Sequence, residues 1–377
     1  MNNAAGKDCT LLALALYFLR LGSSGFGGPI ALAAYMQRDL VPRGWLTDQE
    51  YAEGLAFSQM MPGPLAAQLA MWIGFLRHGT LGASLTSIVF ILPAFIVVLL
   101  ISMLYVRFRG LPVVQALFYG IGPAVIAIVA LSAARLAWKT VHRQLSMWAI
   151  FTVTAIVTVV TRTEIAALFL VAGVIGYLLT KTGRSAHLSI VAVALTSGAA
   201  VPASKLSGLL FFFLKAGAFT FGSGLAIVPF LHQGVVLGHR WLTEQQFLDA
   251  VAIGIITPGP VVITAAFVGF LTAGFWGAVV AAAAVFLPVY FFVLFLGRYI
   301  IKHRRNERLQ GFIKGATAAA SGAIVGAAVV LGEQSIYDTV TASTAAVSFI
   351  LLILKIPEPA VVGAGALAGM WAKGFFE

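Results

Sequence analysis

Long apolar segments recur along almost the whole chain, and they restrict the fold more than any other feature. They return from Leu11 to Met370, and each is long enough to cross the hydrocarbon core of a bilayer. Of the 377 residues, 60% are hydrophobic and 10% are charged, against about a quarter charged in a soluble domain. Isolated strands would leave backbone groups unpaired in lipid. The sequence therefore predicts an all-α polytopic membrane protein.

The formal net charge of +11 does not indicate a nucleic-acid-binding protein. The cations lie in short clusters between apolar segments, as the topology rule for membrane proteins expects, and they form no basic domain. The single cysteine, Cys9, excludes an intrachain disulfide. The lipid bilayer is thus an expected partner and nucleic acid is not.

The chain consists of two related halves. The run FLRLGSSGFG at 18–27 resembles FLKAGAFTFG at 213–222, and PGP occurs at 62–64 and 258–260. Further matches pair Trp45-Leu46-Thr47 with Trp241-Leu242-Thr243, and Phe75-Leu76, Gly79, Gly82-Ala83 and Pro93 with Phe270-Leu271, Gly274, Gly277-Ala278 and Pro288. A constant spacing through rare residues is not expected from chance similarity. We therefore divide the chain into a repeat at 1–185, a connecting segment at 186–204 and a second repeat at 205–377.

Clusters of Lys and Arg predict that the two repeats have opposite orientations. Repeat one carries cations at Arg77, Arg135, Lys139 and Arg143, where repeat two has Thr272, Glu333 and Asp338. Repeat two carries its own cluster at Arg298, Lys302, Arg304, Arg305 and Arg308, where repeat one has only Arg107 and Arg109. Loops rich in Lys and Arg stay in the cytoplasm. Inverted repeats are a recurring architecture of secondary transporters, with the substrate site near the midplane.

An inversion requires an odd number of crossings between equivalent points of the two repeats. The apolar stretch 188–201 supplies one if it is a short extra span, and the total is then 12–13 transmembrane segments. The N-terminus lies inside and the C-terminus outside in this arrangement. Arg38, Arg43, Arg107 and Arg109 fall outside, which counts against it.

Each repeat is predicted to contain a discontinuous helix broken at PGP. Thr47 and Thr243 begin capping boxes, and PGP follows about fifteen residues later. Proline removes backbone donors within a helix but is favourable at the start of a new one. The free N–H groups of the second half-helix would then attract an anion. A kink with no substrate contact remains the structural alternative.

Glycine-rich segments before the capping boxes predict a second break in each repeat. They include Gly27-Gly28 in repeat one and Gly222-Ser223 in repeat two. Exposed backbone at membrane depth is tolerated where it lines a cavity, whereas close helix packing through small residues is an equal alternative. The complete set of predicted substrate contacts is Arg20, Lys215, Gly27, Gly28, Gly222, Ser223, Pro62, Gly63, Pro64, Pro258, Gly259 and Pro260.

Charged residues occupy equivalent positions inside apolar helices of the two repeats. Arg20 matches Lys215, and Glu53 matches Asp249. Each charge costs about 2.5–3.5 kcal/mol to insert at the bilayer centre, so such residues usually face a cavity or a partner. In one interpretation, Arg20 and Lys215 bind a divalent oxyanion while Glu53 and Asp249 serve proton coupling or structure. In the other, Arg20–Glu53 and Lys215–Asp249 are fixed ion pairs without substrate contact.

Several short motifs resemble the signature of the chromate ion transporter family. FGGP at 26–29, WLTDQEY at 45–51 and MPGP at 61–64 resemble its N-terminal domain. FGSG, RWLTEQQF and TPGP in repeat two resemble its C-terminal domain, so the chain is similar to the long-chain, two-domain type. Pro29 is matched by Gly224 and Met61 by Thr257, which indicates that the two half-sites have divided their roles.

The resemblance implies a multi-pass protein of the bacterial inner membrane that exports chromate by secondary active transport. It implies proton-motive force or anion exchange as the energy source, chromate resistance as the outcome, and sulfate as the natural competitor. Transport of sulfate or another oxyanion is the alternative, followed by a passive anion channel and by a membrane enzyme or lipid flippase. The sequence contains no nucleophile elbow, metal-spaced His/Cys cluster or Walker loop, so we predict no enzymatic activity and no cofactor. A homodimer is compatible with this assignment.

Overall fold

The computed structural model describes residues 9–25, 28–141, 145–161, 166–179, 205–220, 227–303 and 306–375, and these are helical throughout with short connections. Repeat one contains α1 (Leu11–Ser24), α2 (Gly28–Leu40), α3 (Asp48–Met60), α4 (Leu65–Phe108), α5 (Pro112–Val141), α6 (Leu145–Thr161) and α7 (Ala166–Leu179). Repeat two contains α8 (Lys205–Phe219), α9 (Ile227–Leu231, extended by a π-helical turn, His232–Gly238), α10 (Glu244–Ile256), α11 (Thr264–Phe291), α12 (Gly297–His303), α13 (Glu307–Ser335), α14 (Thr339–Ile353) and α15 (Glu358–Ala372). The all-α prediction is confirmed.

Polar side chains determine where α3 and α10 begin. The Thr47 and Thr243 side chains each accept a hydrogen bond from the backbone N–H three residues later. The Glu50 and Gln246 side chains in turn accept from the backbone N–H of the cap residue. These are the two predicted capping boxes, and each satisfies two backbone donors that a helix start leaves open.

The first two helices form a hairpin and do not continue in one direction. The Tyr17 hydroxyl on α1 donates to the Tyr35 carbonyl at 3.4 Å and to Asp39 at 3.5 Å, both on α2. The Arg43 guanidinium, just after α2, lies 5.6 Å from the Tyr17 ring. These contacts join the middle of α1 to the second half of α2 and to the residues after it. The two helices therefore run antiparallel, and the chain reverses between Gly25 and α2. The predicted break is present, and it is also a reversal.

The chain also reverses at the first PGP. Arg77, late in the first part of α4, forms an ion pair with Glu50 at the start of α3. A Cβ at Gly54 on α3 would lie 2.3 Å from the Trp72 ring, so the two helices are in close contact. Two half-helices that continued across the bilayer would instead place Arg77 and Glu50 at opposite ends. The predicted discontinuous helix is therefore a re-entrant hairpin with PGP at its tip.

A second reversal follows directly and starts the first full crossing. His78 and Gly79 leave the helical conformation, and Gly79 has φ +59°. The part of α4 after this kink packs back on the part before it, because a Cβ on Gly74 would lie 2.4 Å from the Gly82 carbonyl oxygen. Repeat two repeats the geometry at Ala273 and Gly274, where Gly274 has φ +65°.

The long parts of α4 and α11 cross antiparallel at the centre of the molecule. The Ser84 and Tyr290 hydroxyls are hydrogen bonded at 2.6 Å. Further along, one apolar groove is lined by Phe95 from α4 and by Val279 from α11. From the first contact to the second, the residue number rises along α4 and falls along α11. The two helices therefore run in opposite directions. Since each long helix leaves the base of its own pair of hairpins, the hairpins enter from opposite sides, and the repeats are inverted.

The remaining helices pack across the repeat boundary. Gly120 on α5 contacts Gly365 and Gly369 on α15, and Gly176 on α7 contacts Gly311 on α13. At each site an added Cβ would lie within 2.8 Å of a backbone atom of the neighbour. Small residues permit this close approach of membrane helices. The last helices of each repeat are therefore packed on the other repeat.

Four helices of the described residues are long and apolar enough to cross a membrane: Leu65–Phe108, Pro112–Trp138, Val261–Leu296 and Glu307–Glu333. Five shorter apolar helices accompany them. The multi-pass prediction is confirmed. The predicted extra span at 188–201 and the cations Arg304 and Arg305 lie outside the described residues.

Candidate functional site

The tips of the hairpins meet at the centre of the molecule, and each repeat binds the other there. The Gly63 N–H donates to the Thr220 carbonyl at 2.5 Å, and the Gly259 N–H donates to the Gly25 carbonyl at 3.1 Å. The PGP tip of each repeat thus contacts the end of the first helix of the opposite repeat. Because the hairpins enter from opposite sides, their meeting point lies at the depth that inverted repeats use for substrate.

The two central glycines of PGP have conformations that other residues rarely adopt. Gly63 has φ +129° and Gly259 has φ +96°. A Cβ at Gly63 would also lie 2.7 Å from the Val289 side chain, whereas at Gly259 it would lie 3.3 Å from the Ala94 side chain. Their N–H groups, which we expected to hold an anion, are already donated to carbonyls. The N–H groups that remain near each tip are those of the half-helix that follows.

Those half-helices begin with uncapped N-terminal turns. Pro64 and Pro260 occupy the cap positions in an extended conformation, and neither makes a side-chain cap. The first N–H groups of a helix have no acceptor within it. Leu65, Ala66 and Ala67 are buried, and no backbone carbonyl of the described residues outside the helix accepts from their N–H groups. Buried, uncapped N–H groups at the positive end of a helix favour an anion.

The two predicted substrate cations flank the tips without forming the predicted ion pairs. Arg20 lies on α1, five residues before Gly25, which is about 8 Å along a helix. Its side chain is exposed, whereas Lys215 on α8 is half-buried. Among the described residues, no ion pair joins Arg20 to Glu53 or Lys215 to Asp249. The fixed ion pairs of the second interpretation are therefore not seen among the described residues.

The glycine-rich segments are described only in part. Gly28 begins α2. Gly27, Gly222 and Ser223 lie outside the described residues. Their assignment to the substrate stays a prediction.

Asp249 lies buried at the interface between the repeats and is bound by neutral donors. The Tyr105 hydroxyl, at the far end of α4, donates to it at 2.6 Å, and the Gln245 amide donates at 2.9 Å. Its counterpart Glu53 is only half-buried and accepts from the Gln49 amide at 3.2 Å. No cation of the described residues pairs with Asp249, and a buried carboxylate held only by neutral donors is costly.

Two further polar atoms are buried on the half-helix after the first PGP. The Gln68 amide nitrogen donates to the Pro62 carbonyl at 2.6 Å, and the amide oxygen is buried without a partner. The Trp72 indole nitrogen, one helical turn later, is also buried without a partner. Such atoms are uncommon in folded proteins, and each requires an explanation.

Comparison with known proteins identifies the family. The chromate transporter family pattern matches residues 12–177 and 207–370, which include both sets of hairpins. The chain belongs to the chromate transporter family. Its relatives include the chromate transport protein of Cupriavidus metallidurans, which is 48% identical, with 96% of this chain and 93% of the relative covered.

Two other relatives of this transporter cover most of its length. The probable chromate transport protein of Synechococcus elongatus is 45% identical, with 97% of this chain and 96% of the relative covered. The chromate transport protein of Pseudomonas aeruginosa is 32% identical, with 81% and 77% covered. No solved structure matches the chain.

The sequence did not indicate Gln68, Trp72 or Tyr105 as candidates for this transporter. Gln68 and Trp72 are not repeated in the second half, where Thr264 and Phe267 stand at the equivalent turn, so the repeat did not draw attention to them. The spacing Pro64-x-x-x-Gln68 was the available signal, because a helical side chain points back toward the N-terminus of its helix. Tyr105 was not recognisable, because only the tertiary structure places it against Asp249.

Proposed function

We propose that this protein is a secondary transporter that exports chromate across the bacterial inner membrane and so confers chromate resistance. The observation that carries the proposal is the meeting of two uncapped half-helices, one from each inverted repeat, at the centre of the molecule. The names of the relatives support chromate as the substrate.

The proposed site combines backbone donors with two cations. Each half-helix directs its positive end toward the hairpin tips, and Arg20 and Lys215 lie on the adjoining helices. A tetrahedral oxyanion such as chromate accepts hydrogen bonds on its unprotonated oxygens and needs compensation of its negative charge. One cation and one half-helix from each repeat supply that compensation symmetrically.

The inverted hairpins also support alternating access. Among the described residues, two backbone hydrogen bonds join the tips between the repeats, from Gly63 and from Gly259. Rocking of one set of hairpins against the other opens the centre to one side at a time, as in other inverted-repeat transporters. We assign the side of Arg43, Arg77 and Arg135 to the cytoplasm, because it carries the cationic loops.

We further propose that protons drive export through Asp249. The carboxyl lies between α10 of repeat two and Tyr105 of repeat one, so its charge state affects the contact between the repeats. A proton taken up there would neutralise a costly buried charge. Anion exchange is the other energy source compatible with the fold, and sulfate, with the same charge and shape as chromate, is the expected competitor.

Uptake of labelled chromate into everted membrane vesicles tests the proposal. A pH gradient and an electrical potential are imposed separately, with vesicles lacking the protein and vesicles with Arg20→Ala as controls. We expect chromate uptake that depends on the protein, increases when the vesicle lumen is more acidic than the medium, and declines with added sulfate. Chromate flux that persists unchanged with both gradients collapsed would instead indicate a passive channel.

A further inference from the structure

Two orphaned polar atoms lie on one face of the half-helix that begins after Pro64. The Gln68 side chain is fully buried, and its Oε1 accepts no hydrogen bond. The Trp72 ring is 5% exposed, and its Nε1–H donates none. Residues four apart in a helix are neighbours on the same face. The face therefore presents one unused acceptor and one unused donor.

The orientation of the Gln68 amide is determined by its surroundings. Nε2 lies 2.6 Å from the Pro62 carbonyl oxygen, a distance that only an N–H donor satisfies. The reversed amide would bring two oxygens together and is excluded. The unused atom is hence an oxygen, which requires a hydrogen-bond donor as its partner.

Repeat two has no such pair, although its fold is the same. Thr264 is the fourth residue after the cap Pro260, as Gln68 is the fourth residue after the cap Pro64. Its hydroxyl donates to the Val261 carbonyl at 2.8 Å and so has a partner. Phe267 replaces Trp72 and has no polar atom. The orphaned donor and acceptor are thus a property of repeat one, and fold symmetry does not require them.

We propose that Gln68 and Trp72 determine specificity by recognising a proton on the transported oxyanion. The inference rests on the proposed chromate transport. The anion accepts hydrogen bonds from the half-helix N–H groups and from the Trp72 indole, while its single hydroxyl donates to Gln68 Oε1. An oxyanion without a proton leaves the Gln68 oxygen buried and unpaired, which is unfavourable.

This arrangement separates chromate from sulfate despite their equal size. Chromate takes up a proton near neutral pH to form hydrogen chromate, whereas sulfate does so only in strong acid. The proposed site therefore prefers chromate, and the preference increases as the pH falls toward the protonation of chromate. A sulfate ion binds the same donors and competes with lower affinity.

Titratable groups of the protein do not face Gln68 directly. None of the described residues that carry charge forms a hydrogen bond or ion pair with its side chain. The elements packed against α4 carry Arg20 on α1, Arg38 and Asp39 on α2, Asp48, Glu50 and Glu53 on α3, Glu244 and Asp249 on α10, and Arg77, His78 and Arg107 on α4 itself. Titration of these groups would change the binding of sulfate as well as of chromate, which separates their effect from that of the substrate proton.

The test uses the purified full chain in proteoliposomes with equal pH on both sides. Unlabelled chromate or sulfate displaces labelled chromate over a pH series that spans chromate protonation, and the ratio of the two half-displacing concentrations measures selectivity. In the native protein we expect this ratio to favour chromate increasingly as the pH falls. Gln68→Met and Trp72→Phe should each reduce the ratio by about fivefold, as for the loss of one hydrogen bond, and make it independent of pH.

Thr264→Val in repeat two is the matched control and should retain the native ratio and its pH dependence. Trp72→Phe keeps the ring and reproduces Phe267, so it decides the question if Gln68→Met does not fold. A native ratio that is constant with pH, or native selectivity in both variants, overturns the proposal and leaves bridging water as the partner of these atoms. Absence of chromate binding by the native protein would instead refute the proposed transport itself.

Discussion

At the scale of single residues, the most informative groups are charged and polar side chains that lack a conventional partner among the described residues. Arg20 and Lys215 have no ion partner among the described residues, and Asp249 is held only by neutral donors. Membrane proteins retain such groups chiefly for function, because each costs several kcal/mol to bury, about 2.5–3.5 kcal/mol for a charge at the helix centre. The residue-scale predictions follow from this expense.

Removal of either cation should disable transport while the protein still inserts. Arg20→Ala and Lys215→Ala each delete one of the two cations that compensate the charge of the oxyanion, so we expect at least a tenfold loss of chromate flux, with Arg20→Lys retaining more of it. Flux is measured in everted vesicles at matched protein levels. Native flux in both alanine variants would show that neither cation binds the substrate.

Neutralisation of Asp249 should separate transport from its driving force. Asp249→Asn keeps an acceptor for Tyr105 and Gln245, so we expect folding and chromate exchange to persist while stimulation by a pH gradient is lost. Glu53→Gln is the matched variant in repeat one and should keep the response. The measurement is uptake with and without an imposed pH gradient, and an unchanged response in Asp249→Asn would remove it from the coupling mechanism.

At the scale of elements, the hairpins depend on backbone conformations that only glycine adopts readily. Gly79 and Gly274 lie at equivalent kinks with φ near +60°, and nothing lies within 4 Å of an added Cβ at either position. Space therefore does not explain these glycines. The kinks let each half-helix fold back on the long helix that follows it.

Alanine at these kinks should destabilise the protein without any steric clash. Gly79→Ala and Gly274→Ala force a side chain into a sparsely populated backbone region, which costs about 1–3 kcal/mol each. Gly363→Ala on α15 is the control, because it also meets open space but lies in a regular helix. There alanine should be neutral or stabilising by about 0.5–1 kcal/mol. Thermal unfolding in detergent measures all three, and equal effects would contradict the conformational explanation.

The start of α14 should lose stability in acid. The backbone N–H of Thr341 binds the Asp338 carboxylate and lowers its pKa below the ordinary value. A carboxyl with a lowered folded pKa contributes stability above its unfolded pKa, and the contribution is lost as the pH falls through the folded value. Asp338→Asn keeps the cap without the titration. Its melting temperature should therefore change less with acidification than that of the native protein, and parallel curves would exclude this contribution.

At the scale of the whole molecule, the re-entrant hairpins explain charges that had counted against the predicted inverted topology. With the hairpins as single crossings, Arg38 and Arg43 fell on the side opposite to Arg77. The re-entrant hairpins correct this, because Arg43 contacts Tyr17 on α1 and the His78 ring binds the Cys9 carbonyl at 2.8 Å. Arg38, Arg43 and Arg77 therefore lie on one side of the membrane. Of the four arginines that had counted against the topology, Arg107 and Arg109 stay on the other side.

The inverted arrangement predicts which loops are accessible from outside the cell. In a Cys9→Ser background, Tyr337→Cys between α13 and α14 should react with an impermeant thiol reagent in intact cells, since Tyr337 is exposed on the side of Arg109. Arg43→Cys, at the base of the first hairpin, should react only after the membrane is permeabilised. Reaction of Arg43→Cys in intact cells, without reaction of Tyr337→Cys, would reverse the assignment of sides.

Local sequence was sufficient for the features that depend on neighbouring residues. Apolar length predicted the membrane class, Thr-x-x-Glu/Gln predicted the starts of α3 and α10, and PGP predicted the breaks, because caps and prolines act within one helical turn. The repeat and its opposite cation clusters predicted the inversion. Membership of the family also followed from short motifs.

Tertiary structure alone decided in which direction the chain continues after each break. A proline or glycine interrupts helical hydrogen bonds, but packing determines whether the next helix continues or reverses, as the Glu50–Arg77 pair shows. It likewise decided that the Gly63 and Gly259 N–H groups bind the opposite repeat, and that Tyr105 meets Asp249 across 144 positions of chain. Such contacts join segments distant in sequence, so their energies depend on the assembled fold and no local pattern records them.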